Sequence, residues 1–298
     1  SPDYSCIPRV NSMPFYTAYL KIADGCDNHC TYCVIPSIRG KFRSRTVEEL
    51  TAEAESLAKG GVKEIIVIAQ NTTDYGIDIY GKRSLAKLLT ELSKIEDIHW
   101  IRLHYAYPEG IDDELIRVVA DNPKICKYLD IPIQHANDTV LRRMGRRCTK
   151  SEMLELFEKI RKEIPDVTLR TSVIAGFPGE TDEQAEELCE FIKEIRFDRL
   201  GAFSYSREEG TPAAKMDGQI DEDEKAARTE RLMNIQSGIS LENNKKKIGK
   251  TIEVLAEGFD ESQMLYFGSE REISEGEFVR VKILDCSEYD LFGKDEIL

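Results

Sequence analysis

From about residue 17 to about residue 205 the chain alternates short β-rich runs with runs of helical apolar spacing, and this alternation limits the possible folds more than any other feature. Six β-rich runs occur: YTAYLKIAD, EIIVIAQ, HWIRLHY, KYLDIPIQ, VTLRTSVIAG and DRLGAFSYS. Between them apolar residues recur every three or four positions, as in Val47, Leu50, Ala54 and Leu57, or Leu188, Phe191, Ile192 and Ile195. Such alternation predicts an α/β fold with a parallel sheet, each strand returning to its neighbour through a crossover helix. Six units suit a partial (βα)6 barrel better than a closed eightfold one. An open doubly wound sheet fits the alternation equally well.

Local chemistry marks several boundaries. Thr46 precedes Val47-Glu48-Glu49, Ser84 precedes Leu85, and Asp112-Asp113-Glu114 puts acid in a first turn, all suited to the free N–H groups and positive dipole end of a helix. Gly60-Gly61 ends the first helix as a C-terminal cap would. After Gly210-Thr211-Pro212 the pattern changes, and one long polar helix is expected from 221 to about 245. Beyond residue 250 the runs TIEVLAEGF, QMLYFGS, EFVRVKILDC and YDLFG predict a small all-β barrel, with turns at Asp260-Glu261, Gly268-Ser269 and Glu275-Gly276. The expected domains are 1–235, including the start of the connecting helix, and 236–298.

The 298 residues are 41% hydrophobic and 32% charged, with no apolar run of bilayer length and no signal-peptide pattern at the start, so a cytoplasmic chain with no membrane attachment is expected. The absence of an initiator Met hints at a fragment. A net charge of −14 argues against a protein that coats duplex nucleic acid, because such binding comes from basic groups on phosphates. Residues 241–298 alone carry 8 Lys and Arg against 14 Asp and Glu, a net of −6, which suits a basic partner.

Each β-rich run leads into a polar or glycine-bearing segment: GCDNHCTYC, AQNTTDYG, HYAYPEG, IQHANDT, AGFPGET and SYSREEGTP. In parallel βα folds these loops converge at the C-terminal strand ends, where ligands bind. The first holds Cys26, Cys30 and Cys33, three of eight cysteines crowded together, which favours a metal centre over disulfides. C-x3-C-x2-C spacing is strong evidence for a 4Fe-4S cluster with one iron left open. Zinc held by these cysteines and His29 is the alternative, and with it a non-enzymatic interaction module. Cys6, Cys126, Cys148, Cys189 and Cys286 are read as core or inert thiols. Arg39, Arg43 and Arg45 are either binders of a ligand carboxylate or of acidic substrate groups, or a solvated basic loop. Arg142, Arg143, Arg146 and Arg147 are either docking residues or a solvated helix face.

CDNHCTYCVIPSIRG, with Tyr32 before the last cysteine, resembles the signature of the radical S-adenosylmethionine superfamily. IRGKFRSR, AGFPGET, SYSREEGTPAA and the terminal β module resemble its methylthiotransferase family, over nearly the whole chain. AQNTTDYG, WIRLHYAYP and LDIPIQHANDTVLRRMGR look most like the branch that modifies ribosomal protein S12. The resemblance implies a partial barrel followed by a TRAM- or OB-like barrel, and transfer of a methylthio group to the β-carbon of an aspartate. It makes Cys26, Cys30 and Cys33 the cluster ligands and implies a cofactor site of Tyr32, Gln70, Asn71, Gln134, His135 and Gly176 for S-adenosylmethionine, with no acid-base residue assigned. Implied partners are ribosomal protein S12 or the small ribosomal subunit, and an electron donor such as flavodoxin or ferredoxin. The sister branch, which thiomethylates adenosine in transfer RNA, would be expected to differ at His135 and to carry a basic barrel, so direct tRNA binding is disfavoured. Family members carry a further N-terminal domain with a second, auxiliary 4Fe-4S cluster. Only about sixteen residues precede the first strand here, so that domain is expected to be missing and full turnover with it.

Overall fold

The computed structural model describes residues 13–257 and 265–296. The chain forms β1 (Thr17–Lys21), a short ladder of β2 (Ala23–Asp24) with β3 (Arg43–Ser44), and then β4 (Glu64–Ile68), β5 (Trp100–Leu103), β6 (Ile125–Asp130), β7 (Thr168–Ala175) and β8 (Arg199–Ser204). β1 and β4 to β8 pair in parallel, each with its successor, into one six-stranded sheet. A doubly wound sheet reverses its strand order at a switch point. No reversal occurs here, so the sheet is the arc of a partial barrel and the doubly wound alternative falls.

The crossovers contain α2 (Val47–Lys59), α4 (Leu85–Leu92), α5 (Asp113–Asp121), α7 (Lys150–Glu163) and α8 (Asp182–Ile195), while α1 (Ile35–Arg39), α3 (Ile77–Tyr80) and α6 (Asp138–Arg143) are short pieces of the loops after β1, β4 and β6. Leu20, Ile65, Val67, Ile101, Leu103, Leu129, Leu169 and Val173 belong to one buried cluster with Leu50, Leu88, Val119, Phe157, Phe191 and Ile192 of the helices. Each such side chain stabilises the fold by roughly 1.5–3 kcal/mol through the area it removes from water. The period-two pattern of a strand then turns the intervening residues to the other face. In β7 Leu169, Thr171, Val173 and Ala175 are buried, whereas Arg170, Ser172 and Ile174 are not. Arg170 meets Asp130 at 2.9 Å and Arg102 meets Glu64 at 2.8 Å, two ion pairs between adjacent strands.

Thr46 caps α2 in a reciprocal box with Glu49, and Asp112 accepts from Leu115 N at the start of α5. Ser84 makes no cap bond; its hydroxyl donates to Lys82 O. At the other end of α2 the left-handed residue is Gly61 (φ 99°), one place beyond the cap Gly60 (φ −80°).

The polar helix α9 (Glu222–Lys245) is capped by Asp221 and packs on β8 and α8. It buries Lys225, Gln236, Ser240 and Asn244, and Gln236 donates to Phe197 O at 2.8 Å. The terminal β module is a four-stranded sheet, β9 (Thr251–Leu255), β10 (Leu265–Gly268), β11 (Phe278–Cys286) and β12 (Leu291–Asp295), in the order β10-β12-β11-β9. Val279, Val281, Ile283 and Leu291 form its own core. The turn expected at Asp260-Glu261 lies outside the described residues. The sheet meets the barrel at His99, whose ring is 3.9 Å from Phe278 and whose Nε2 is 2.9 Å from Glu253, and at Tyr16, which donates to Glu257 O. Among the described residues no helix is long and apolar enough to cross a membrane.

Candidate functional site

The loop leaving β1 carries the three cysteines to the C-terminal end of the sheet. Its path is fixed by contacts that only small or matched groups permit. Gly25 takes φ 76°, and a Cβ there would lie 2.2 Å from Lys41 O. Asp27 Oδ1 accepts from Phe42 N at 3.0 Å, and Cys26 N donates to Gly40 O. From the far side the turn after α6 grips the loop: Thr31 donates through N to Met144 O (2.9 Å) and through Oγ1 to Arg143 O (2.8 Å). Gly145 (φ 74°) sits so close beneath that a Cβ would meet His29 O at 2.6 Å.

Cys26 and Cys30 are 7% and 6% exposed, Cys33 is half-buried, and all three are free thiols. The N–H groups of Asn28 and Ile35 point at the sulfurs of Cys26 and Cys33, each at 3.4 Å. Burial raises the thiol pKa of both; those N–H groups lower it, and the neighbouring cysteine sulfurs raise it further. Thiols crowded in this way are poor anions alone and need shared cations to hold their deprotonated forms. Among the described residues no three His, Cys, Asp or Glu side chains stand close enough to share one ion. Tetrahedral zinc draws its sulfurs to about 2.3 Å from a single centre. A cluster seats each thiolate on a different iron, so three thiolates carried on one loop are enough to hold it.

Tyr32 packs on the buried group of Val140, Met144, Phe177, Tyr205 and Ala213, an apolar floor drawn from several loops. Gln70, just past β4, has its Oε1 buried without a hydrogen-bond partner, an acceptor left unspent. Asn71 differs: Oδ1 accepts from Thr73 N and Thr73 Oγ1, and Nδ2 donates to Asp74 at 2.6 Å. As placed, it shapes its own loop.

Gln134 adopts φ 69°, a conformation that side-chain-bearing residues rarely take, while its N donates to Ser172 O and its O accepts from Ile174 N. The chain thus rejoins β7 after leaving β6. His135 is fully buried; Nδ1 accepts from Asn137 N at 2.9 Å, and Nε2 lies 3.6 Å from Glu180 Oε2. Glu180 also accepts from Phe177 N (3.0 Å) and Arg228 (3.0 Å). Burial would raise the Glu180 pKa, but His135, the Phe177 N–H and Arg228 outweigh it and hold the carboxyl below its ordinary range. This network ties the loops after β6 and β7 to α9. Gly176 (φ 72°) belongs to the same junction, since a Cβ there would lie 2.4 Å from Lys225 Cγ.

Of the arginines, Arg45 is paired with Glu53 and Arg43 lies 3.7 Å from Asp24. Arg142 donates to Thr139 and Arg143 to Gly179 O. Arg146 is no solvated face: it is 5% exposed and stacks on Tyr107. Sequence reasoning missed Tyr107 and Gly145, whose only cue was membership of the quoted segments, and it missed the pairing of Glu180, in the loop expected to line the cofactor pocket, with Arg228 of the long polar helix. Cys148 and Cys189 are buried, Cys126 and Cys286 half-buried, and burial pushes Cys126 up to about 11 and Cys148 up to about 12.

Comparison with known proteins places this geometry. The family description "Radical SAM superfamily" matches residues 20–192. The chain is 51% identical to the ribosomal protein uS12 methylthiotransferase RimO of Clostridium botulinum strain Hall, over 96% of the chain and 67% of the relative. It is 50% identical to that of Clostridioides difficile strain 630, over 96% and 68%. The chain therefore spans about two thirds of the length of these relatives. In fold it resembles the radical SAM enzyme coproporphyrinogen III oxidase of Escherichia coli (TM-score 0.55, 17% identity, 75% of this chain and 52% of that one). It also resembles the radical S-adenosylmethionine methyltransferase TsrM of Kitasatospora setae (0.54, 16%, 84% and 46%).

Proposed function

The chain belongs to the radical SAM superfamily and to its ribosomal protein uS12 methylthiotransferases, and from that membership we propose that it places a methylthio group on the β-carbon of an aspartate of uS12. The observation that carries this reading is the delivery of three free thiols to the C-terminal end of the sheet by one braced loop. Cys26, Cys30 and Cys33 would hold the 4Fe-4S cluster. Bound together, cluster and S-adenosylmethionine supply a radical able to take hydrogen from a carbon too weakly acidic for any side-chain base.

The protein's own groups bind, orient and exclude water. Tyr32 and its apolar floor would pack against the cofactor's adenine, and the unspent Gln70 Oε1 would accept a hydrogen bond from it. The turn at Gln134 and the cramped Gly176 would bring backbone close to the cofactor, while Asn71 and His135 hold the loops from behind. Residues 236–298 are proposed to hold the basic substrate, with a cytoplasmic site of action and an external flavodoxin- or ferredoxin-like electron donor.

Cys30→Ala should abolish reductive cleavage of S-adenosylmethionine, assayed as 5′-deoxyadenosine release, in a chain that stays soluble. Retained cleavage would refute the ligand assignment. For the substrate, mass spectrometry of uS12 incubated with the enzyme extended to its relatives' full length should show one hydrogen replaced by a methylthio group. An unmodified uS12 beside a modified transfer RNA would overturn the assignment.

A further inference from the structure

Behind Cys30 stand two groups that the binding of the loop does not explain. Tyr107 Oη lies 3.9 Å from Cys30 Sγ, and the Arg146 guanidinium lies 4.2 Å from the centre of the Tyr107 ring. The Arg146 side chain is 2% exposed; it donates through Nη2 to Pro132 O at 3.1 Å, and its Nε and Nη1 have no hydrogen-bond partner. Glu109 Oε2 stands 3.9 Å from Nη2, but Oε1 of the same carboxylate accepts from the N–H groups of Arg147 and Cys148. A buried cation so incompletely partnered costs several kcal/mol unless a compensating negative charge is near. Next to Cys30, that charge is at hand in a bound cluster. Three thiolates outweigh the charge of the oxidised core, so the assembly is anionic and gains one further negative charge on reduction.

We propose that Tyr107 and Arg146 set the reduction potential of the cluster held by Cys26, Cys30 and Cys33, favouring its reduced form. The proposal rests on the cluster reading above. An iron-bound Cys30 has no proton, so in the Tyr107–Cys30 contact the phenol is the donor. Arg146, stacked on the same ring, fixes the phenol and adds a buried positive charge that screening by salt reaches poorly. Both interactions strengthen as the cluster gains its electron. The step is a one-electron transfer from an external low-potential donor to the core, with no protein bond made or broken.

The test is a mediator-coupled redox titration of the anaerobically reconstituted chain, reduced with dithionite and followed by cluster absorbance and electron paramagnetic resonance. Tyr107→Phe removes only the hydroxyl and should lower the equilibrium constant for reduction about threefold. Arg146→Met should lower it about tenfold, or about 59 mV for one electron, with Arg146→Lys between. A purely structural role would change the melting temperature or iron content and leave the potential in place. Loaded Tyr107→Phe and Arg146→Lys at the wild-type potential, or shifted positive, overturn the proposal, and these two decide if Arg146→Met takes up no iron. A wild-type chain that takes up no iron removes the cluster reading itself, a distinguishable failure.

Discussion

Gly145→Ala probes the join between the turn after α6 and the cysteine loop. Its φ of 74° costs an L-residue about 1–2 kcal/mol. Its new Cβ would also stand 2.6 Å from His29 O, where real contacts do not fall below 3.0 Å. The obstructing atom is backbone, so no side chain can swing aside, and the segment between Cys26 and Cys30 must retreat. Overpacking of this kind costs about 1–3 kcal/mol more. Gly81 supplies the control: it has φ 70° and nothing within 4 Å of a Cβ, so Gly81→Ala bears the conformational cost alone. Urea melts should show Gly145→Ala destabilised by about 2–5 kcal/mol and Gly81→Ala by about 1–2. Iron bound per chain after reconstitution should fall only in Gly145→Ala. Equal destabilisation of the two, with iron retained in both, would refute the claim that this turn positions the cysteines.

Two further outcomes follow from the bracing residues. Asn71→Asp keeps the acceptor for Thr73 but sets a second carboxylate against Asp74, now 2.6 Å from Nδ2; it should lower stability by about 1.5–3 kcal/mol in urea melts. An unchanged midpoint would mean that Asp74 is not the partner in solution. Glu180→Gln should cost about 1–3 kcal/mol near neutrality, where the native carboxylate is ionised. Because the folded pKa is depressed, that stabilisation is complete above the ordinary carboxylate range and is lost as pH falls through the folded value. The gap between wild type and Glu180→Gln should therefore narrow progressively in melts taken at pH values below the ordinary carboxylate range, and a constant gap would deny that the charge matters.

Strand number, helix positions and the cysteine loop were legible because each rests on a local rule. Period-two and helical spacing encode which face is buried, and Thr46 and Asp112 cap their helices with atoms only a few residues away. Barrel and doubly wound sheet differ only in which strand neighbours which, a long-range fact that no local pattern carries; the parallel registers decide it. The same limit governs the site. Arg146 reads as one charge in the run Arg142 to Arg147, and its burial depends on Tyr107 and Pro132, far away in sequence. Asn71 and His135 were placed on the cofactor by resemblance, yet the bonds they make are to Thr73, Asp74 and Asn137, with Glu180 beside the imidazole. Loop-shaping residues and ligand-binding residues share the same polar types, so sequence alone carries no sign of which protein bonds a given one makes.

The two ends of the barrel have separate tasks. At the C-terminal strand ends the chain accepts strain and unspent polar atoms: left-handed Gln134 and Tyr105, the Gln70 acceptor and the orphan nitrogens of Arg146. At the N-terminal ends the chain instead makes its contacts to the terminal sheet. His99 stacks on Phe278 at 3.9 Å, Trp100 meets the same ring edge-on at 4.9 Å, and Arg199, which opens β8, reaches Tyr289 O. Aromatic contacts of this kind contribute about 0.5–1.5 kcal/mol each beyond the area they bury. The acidic terminal sheet is therefore anchored at the end remote from the cysteines. Five residues of β1, at about 3.3 Å each, span about 17 Å. A partner held on that sheet must bring its reacting side chain past the length of the strands, which an extended loop can do and a flat surface cannot.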